Sequence, residues 1–199
     1  MEINNLELIA PLMPRDSGYF CHMQIVCRAK DHKEEKVREG AVKTYFIKDE
    51  EHLRRVMPEV ILLCEHYGAR AYINVSHKSF ERLQKLILTK IASLIYEGNV
   101  QNPRKTLNSA AGELTSKNPI WIIDVDDLIL KSEDLGWLCG YYRTEEKFYL
   151  IGTIPTKQGC HLLTRPFNLK MFQIRFPNVD VHKNSMGTLL YYPNSIMDI

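Results

Sequence analysis

Apolar residues recur along this chain at two spacings, and the changes from one to the other mark out its elements. Tyr19 to Ala29, YFCHMQIVCRA, is aromatic and aliphatic with partial alternation, which predicts a strand. KDHKEEKVREG follows, dense in both charges and without an apolar face, so it reads as a solvated loop. Ala41 to Lys48, AVKTYFIK, predicts a second strand that pairs with the first. Leu53, Val56, Val60, Leu63 and Cys64 then fall at helical spacing, with Asp49 as N-cap, Glu50 and Glu51 in the first turn, and Gly68 as the stop. Pro58 inside this stretch predicts a kink or a fresh start. Arg70 to Val75 is a short strand. Ser76 or Ser79 caps a helix on which Phe80, Leu83, Leu86, Ile87, Ile91, Leu94 and Ile95 form one stripe, ending at Gly98. Arg82, Lys85 and Lys90 on its other face read as solvated.

Asn99 to Asn118 is polar and has little periodicity, so a linker or flexible loop is expected there. This places a boundary between an N-terminal αβ module, residues 1–105, and a second module, 106–199, the two packed as one core. The second module opens with PIWIIDVDDLIL, an apolar run that predicts a buried strand. Ser132 then caps SEDLGWLCGYY, whose two glycines weaken it as a helix. Lys147 to Ile154 is a strand, TKQG a turn, CHLLT a strand, and Asn168 opens a short helix through LKMFQIRF. NVDVH and GTLLYY flank KNSM, a link of hairpin length. The order β, α, β, β, α, β, β predicts an α+β protein whose second module is a mainly antiparallel sheet.

Composition narrows the function classes. With 199 residues, 45% hydrophobic and 25% charged, the chain is long enough for a sizeable core, and a formal net charge of +2 leaves any polyanion site to local clustering. The five cysteines are scattered without a CxxC pair, which disfavours a zinc ribbon or a disulfide framework and fits reduced thiols in the cytoplasm. MEINNLELIAP lacks the features of a signal peptide, and no apolar run approaches the roughly 20 residues that span a bilayer. A cytoplasmic location without membrane contact is therefore expected.

Candidate chemistry sits at the exit of the apolar strand. Asp124 and Asp126 are two apart, so on a strand both side chains share a face while Asp127 takes the other. Two carboxylates on one face can hold a hard cation. The same residues also serve as turns or N-caps in many proteins. His161 in TKQGCHLL and Asp180 in NVDVHK are further polar groups in strand-like surroundings, with Lys157 and Arg165 close to the histidine in sequence. Taken singly, the histidine fits a structural hydrogen bond, and the two cations fit exposed positions. His182 falls on the same strand face as Asp180.

These stretches, in this order, resemble the archaeo-eukaryotic primase superfamily, the primase-polymerases of replication, repair and mobile genetic elements. The resemblance runs over about residues 120–195 and rests on DVD, the small-residue turn with His161, the later hydrophobic-Asp at Asp180, and the closing GTLLYYPNS. It implies an αβ module ahead of an RNA-recognition-motif-like catalytic module. It further implies Mg²⁺ or Mn²⁺ at Asp124, Asp126 and Asp180, these three and His161 as catalytic residues, and His161, Lys157 and Arg165 at a nucleoside triphosphate. The activity implied is a metal-dependent nucleotidyltransferase acting on a single-stranded or primed nucleic acid, with room for a replicative helicase on a separate chain. Gly159 stands where the family has a small hydroxyl residue two before the histidine, although Thr156 is near, and an acidic residue directly follows DVD. Two alternatives remain. IIDVDDLIL also looks like the nucleophile motif of haloacid-dehalogenase-like phosphatases, which need a doubly wound parallel sheet. A non-catalytic nucleic-acid-binding module would use Tyr141, Tyr142, Tyr149, Tyr191 and Tyr192 for stacking, unless these fill the core.

Overall fold

The computed structural model describes residues 2–31, 39–99, 102–126, 150–184 and 187–194. Asp127, the helix expected from Ser132, the three tyrosines at 141, 142 and 149, most of the charged loop after Ala29, and Ser195 lie outside the described residues. The elements in order are β1 (Ile3–Asn4), α1 (Leu6–Ile9), β2 (Tyr19–Cys27), β3 (Gly40–Ile47), α2 (Glu50–Tyr67), β4 (Arg70–Ser79), α3 (Phe80–Tyr96) and α4 (Pro103–Glu113). Then follow β5 (Trp121–Asp126), β6 (Leu150–Pro155), β7 (Gly159–Thr164), α5 (Leu169–Arg175), β8 (Asp180–His182) and β9 (Thr188–Tyr192). The strands form two sheets, β1-β9-β4-β2-β3 and β6-β7-β5-β8, and every pairing is antiparallel among the described residues. The protein is thus α+β, and among the described residues no helix is long and apolar enough to cross a membrane.

Local chemistry accounts for most of these boundaries. The Asp49 carboxylate accepts from the His52 backbone N–H at 2.7 Å, and Gly68 closes α2 in the left-handed region at φ 54°. The fresh start that Pro58 allows does not occur, and α2 runs through it. Pro58 and Arg54 both lie on the exposed side of α2, so the one backbone bond the proline cannot make is lost where water replaces it. Strand β4 runs four residues past the predicted end, to Ser79, because Tyr19 and Phe20 continue to pair with Ser79 and Lys78. Ser79 itself caps α3.

Two expectations are corrected by packing. The polar stretch 99–118, where a linker or flexible loop is expected, contains α4, which starts with Asn102 accepting from Arg104 N–H at 2.9 Å and Pro103 in the first turn. Its buried face is Thr106, Ala110 and Ala111 against Phe20 and Leu83, too small and weakly apolar to show as periodicity. The α3 stripe is buried only where α4 lies on it: Leu83 is 4% exposed, Ile91 39% and Ile95 73%.

The predicted hairpin of NVDVH with GTLLYY is also replaced. β8 pairs with β5, whereas β9 enters the first sheet between β1 and β4, so sheet membership does not follow a division at residue 105/106. The reason is burial: Leu190 and Tyr191 are at most 1% exposed in the first sheet's core. Entry requires Gly187, where any Cβ would lie 2.8 Å from the Ile73 backbone.

The sheets share a core. Ile122, Ile154 and Leu163 of the second join Met23, Ile25, Ile73, Val75 and Leu190 of the first in one apolar cluster. The other face of the second sheet, Ile123, Val125 and Leu162, is covered by Phe172 and Phe176 around α5. Because side chains alternate along a strand, the residues next to Ile122 on its face and next to Leu163 on its face point toward the first sheet. Asp124 and His161 are those residues. Asn5 ties the sheets together, its Nδ2 donating to the Pro155 carbonyl at 2.9 Å and the Leu189 carbonyl at 2.8 Å.

Candidate carboxylate–histidine site

Register brings three of the expected residues into one row. On β5, Asp124 lies directly opposite His161 of β7 on one side and directly opposite Asp180 of β8 on the other. Facing residues on antiparallel strands have Cβ atoms about 4.5–5.5 Å apart and share a sheet face. The third acid therefore stands on the same side of the sheet as the first. Asp126 continues β5 opposite Gly159; its side chain lies outside the described residues.

His161 is 5% and Asp124 21% exposed at the side chain, with Nε2 of the histidine 3.5 Å from Oδ1 of the acid. The Nδ1 of His161 lies 3.0 Å from Thr188 Oγ1, at the point where β9 enters the first sheet. A carboxylate facing Nε2 selects the tautomer with hydrogen there, so the Thr188 hydroxyl donates to Nδ1. Threonine 188 is buried with no exposure and fixes the ring from behind. His182, which faces Ile122, brings its Nε2 within 4.0 Å of the second oxygen, Asp124 Oδ2. One carboxylate thus stands between two imidazoles and beside a second carboxylate.

Lys157 and Arg165 do not join this row. Lys157 is in the β6–β7 turn beyond the Asp126–Gly159 pair, where its Nζ donates to the Tyr192 hydroxyl at 3.0 Å and lies over that ring. Arg70 packs its guanidinium on the same ring, 4.7 Å from the centroid. The Thr156 hydroxyl accepts from Gly159 N–H at 3.0 Å and so shapes the turn. Arg165 is four residues from His161 toward the other end of β7, about 13 Å away at a strand's rise, and lines a separate cavity. Tyr191 and Tyr192 are 1% and 7% exposed and fill the core and its rim. The row was readable from residue type and order. Thr188 carries no such signal in the sequence, because a lone hydroxyl at a strand's start has no visible partner until the sheets come together.

Among the described residues no three His, Cys, Asp or Glu side chains are gathered closely enough to cage a metal ion by themselves. The donor chemistry of Asp124 and Asp180 nevertheless fits a hard divalent cation. Like charges directly opposite each other repel unless positive charge comes between them, and carboxylate oxygens are the ligands Mg²⁺ and Mn²⁺ take. Compared with protein-family models, curated proteins and solved structures, the chain gives no match.

Proposed function

We propose that this chain is a metal-dependent nucleotidyltransferase of the primase-polymerase type, adding nucleotides from nucleoside triphosphates to a nucleic-acid strand. The observation that carries the reading is the row Asp180, Asp124, His161 across three adjacent strands, on the face turned toward the first sheet. The second sheet supports it. Its strands follow the chain order β5, β6, β7, β8 and the spatial order β6-β7-β5-β8, with α5 before the last strand, an order in keeping with an RNA-recognition-motif-like sheet, while the segment between β5 and β6 lies outside the described residues. The described strands pair only antiparallel, which favours this reading over the phosphatase alternative and its parallel sheet. Of the five tyrosines a purely binding module would use, Tyr191 and Tyr192 are buried and offer no stacking surface, and Tyr141, Tyr142 and Tyr149 lie outside the described residues.

In this reading Asp124 and Asp180, with Asp126, hold Mg²⁺ or Mn²⁺, which when bound supplies acidity to the 3′-hydroxyl and neutralises charge building on the phosphates. His161 holds the Asp124 carboxylate in place through Nε2 while Thr188 fixes the ring. His182 restrains the other oxygen. Lys157, packed on Tyr192, places positive charge beside the carboxylate end of the sheet, where a phosphate backbone is attracted without regard to sequence.

The test is incubation of the protein with Mn²⁺, nucleoside triphosphates and primed or unprimed single-stranded template, alongside thermal unfolding with and without Mn²⁺. Extension and an Mn²⁺-dependent rise in Tm, both lost in Asp124→Asn, are expected. Absence of extension together with no Mn²⁺ effect on the wild type would refute the reading.

A further inference from the structure

A second site lies at the opposite end of the interface between the sheets. A cavity of about 560 Å³ is lined by Arg15, Lys117 and Arg165, by the apolar side chains of Tyr19, Ile120 and Ile151, and by Asn118 and His77. Its volume falls in the range of about 300–1,000 Å³ that ligand pockets occupy. The wall is held in place: His77 Nε2 meets the Leu12 carbonyl at 2.8 Å, which pins the segment before β2 to the end of β4.

The cavity gathers positive charge from three segments of the chain. Lys43, Arg54, Arg55, Arg70, Lys85 and Lys90 each stand within ion-pair distance of a carboxylate. Arg15, Lys117 and Arg165 come from three separate segments; among the described residues none has an ion pair or a hydrogen bond at the side chain, and Lys117 also acts through space on the Glu81 carboxylate. The single acid at the cavity, Asp16, has Oδ1 engaged by Gly18 N–H at 2.8 Å. Convergent unpaired cations next to an apolar wall match a ligand that is polyanionic at one end and carries a flat, weakly polar ring at the other.

We propose that this cavity binds a nucleoside di- or triphosphate, with Arg15, Lys117 and Arg165 on the phosphates and Tyr19, Ile120 and Ile151 against the base. The site is separate from the carboxylate row and does not depend on the activity proposed for it. The two readings are distinguishable because this site needs no divalent metal.

The test is calorimetric titration of the whole chain in EDTA, at low salt, with a nucleoside triphosphate and with inorganic tripolyphosphate. Saturable nucleotide binding is expected, weakened at least about tenfold in Arg165→Gln and in Lys117→Gln and unchanged in Asp124→Asn, with tripolyphosphate weaker than the nucleotide. Both substituted cations are exposed, and unchanged thermal unfolding of the unliganded variants verifies their fold. No binding in EDTA, binding indifferent to both cation substitutions, or loss of binding in Asp124→Asn would overturn the site. Tripolyphosphate binding as tightly as the nucleotide would overturn the assignment of a nucleoside.

Discussion

Lys78 is a lysine inside a sheet, and its burial makes a measurable prediction. It is 2% exposed, and its Nζ donates to the Ala111 carbonyl of α4 at 2.7 Å. Burial penalises the ammonium and brings its pKa down from 10.5 to about 8, with the Cys21 thiol acting weakly the other way. The unfolded chain therefore holds this proton up to about pH 10.5 while the folded chain releases it near pH 8, so Lys78 costs stability below pH 8 and the cost fades as pH rises to 10.5. The drop in pKa corresponds to about 3 kcal/mol. The wild-type curve alone does not isolate it. Burial raises the Cys21 and Cys64 thiols, the latter to about 12, so from about pH 9 the unfolded chain loses their protons first and stability falls. Tyr45 and Tyr191, raised chiefly by burial, act in the same direction above pH 10. These contributions cancel in the difference between wild type and Lys78→Met. Leaving the Ala111 carbonyl without its donor costs the variant about 1–3 kcal/mol at every pH, an offset that does not alter how the difference changes with pH. Urea unfolding from pH 7 to 10.5 should show the stability advantage of Lys78→Met shrinking by about 3 kcal/mol across that interval. Parallel curves would mean that the lysine titrates as it does in water and that the burial argument is wrong.

Three further outcomes follow from named contacts. His22, beside Lys78, is lowered to about 4 by burial first and by the lysine's charge second, so stability should be lost as pH falls from 6.5 toward 4, and His22→Phe should flatten that limb. Gly187→Ala places a Cβ 2.8 Å from the Ile73 backbone, which should cost about 1–3 kcal/mol in urea unfolding and shift Thr188 away from His161, weakening any Mn²⁺-dependent rise in Tm. Asn5→Ala leaves the Pro155 and Leu189 carbonyls without their donor and should cost about 2–4 kcal/mol; a loss under about 0.5 kcal/mol would show that water replaces the amide.

The amino-acid pattern by itself determined the elements whose causes are local. Asp49 and Gly68 delimit α2, alternation marks β2 and β3, and the apolar run before Asp124 marks β5, because caps, left-handed glycines and period-2 burial act over a few residues. It also determined which polar groups were candidates, since Asp124, His161 and Asp180 are unusual within strand-like surroundings. Tertiary packing decided the rest. A helix of small residues formed on a neighbour that the chain does not announce, and β9 left its expected partner because Leu190 and Tyr191 bury more apolar surface in the first sheet. Register then separated Arg165 from His161 and supplied Thr188, for the neighbours of a side chain across a sheet are set by which strands pair, a choice made by the summed burial of the whole core.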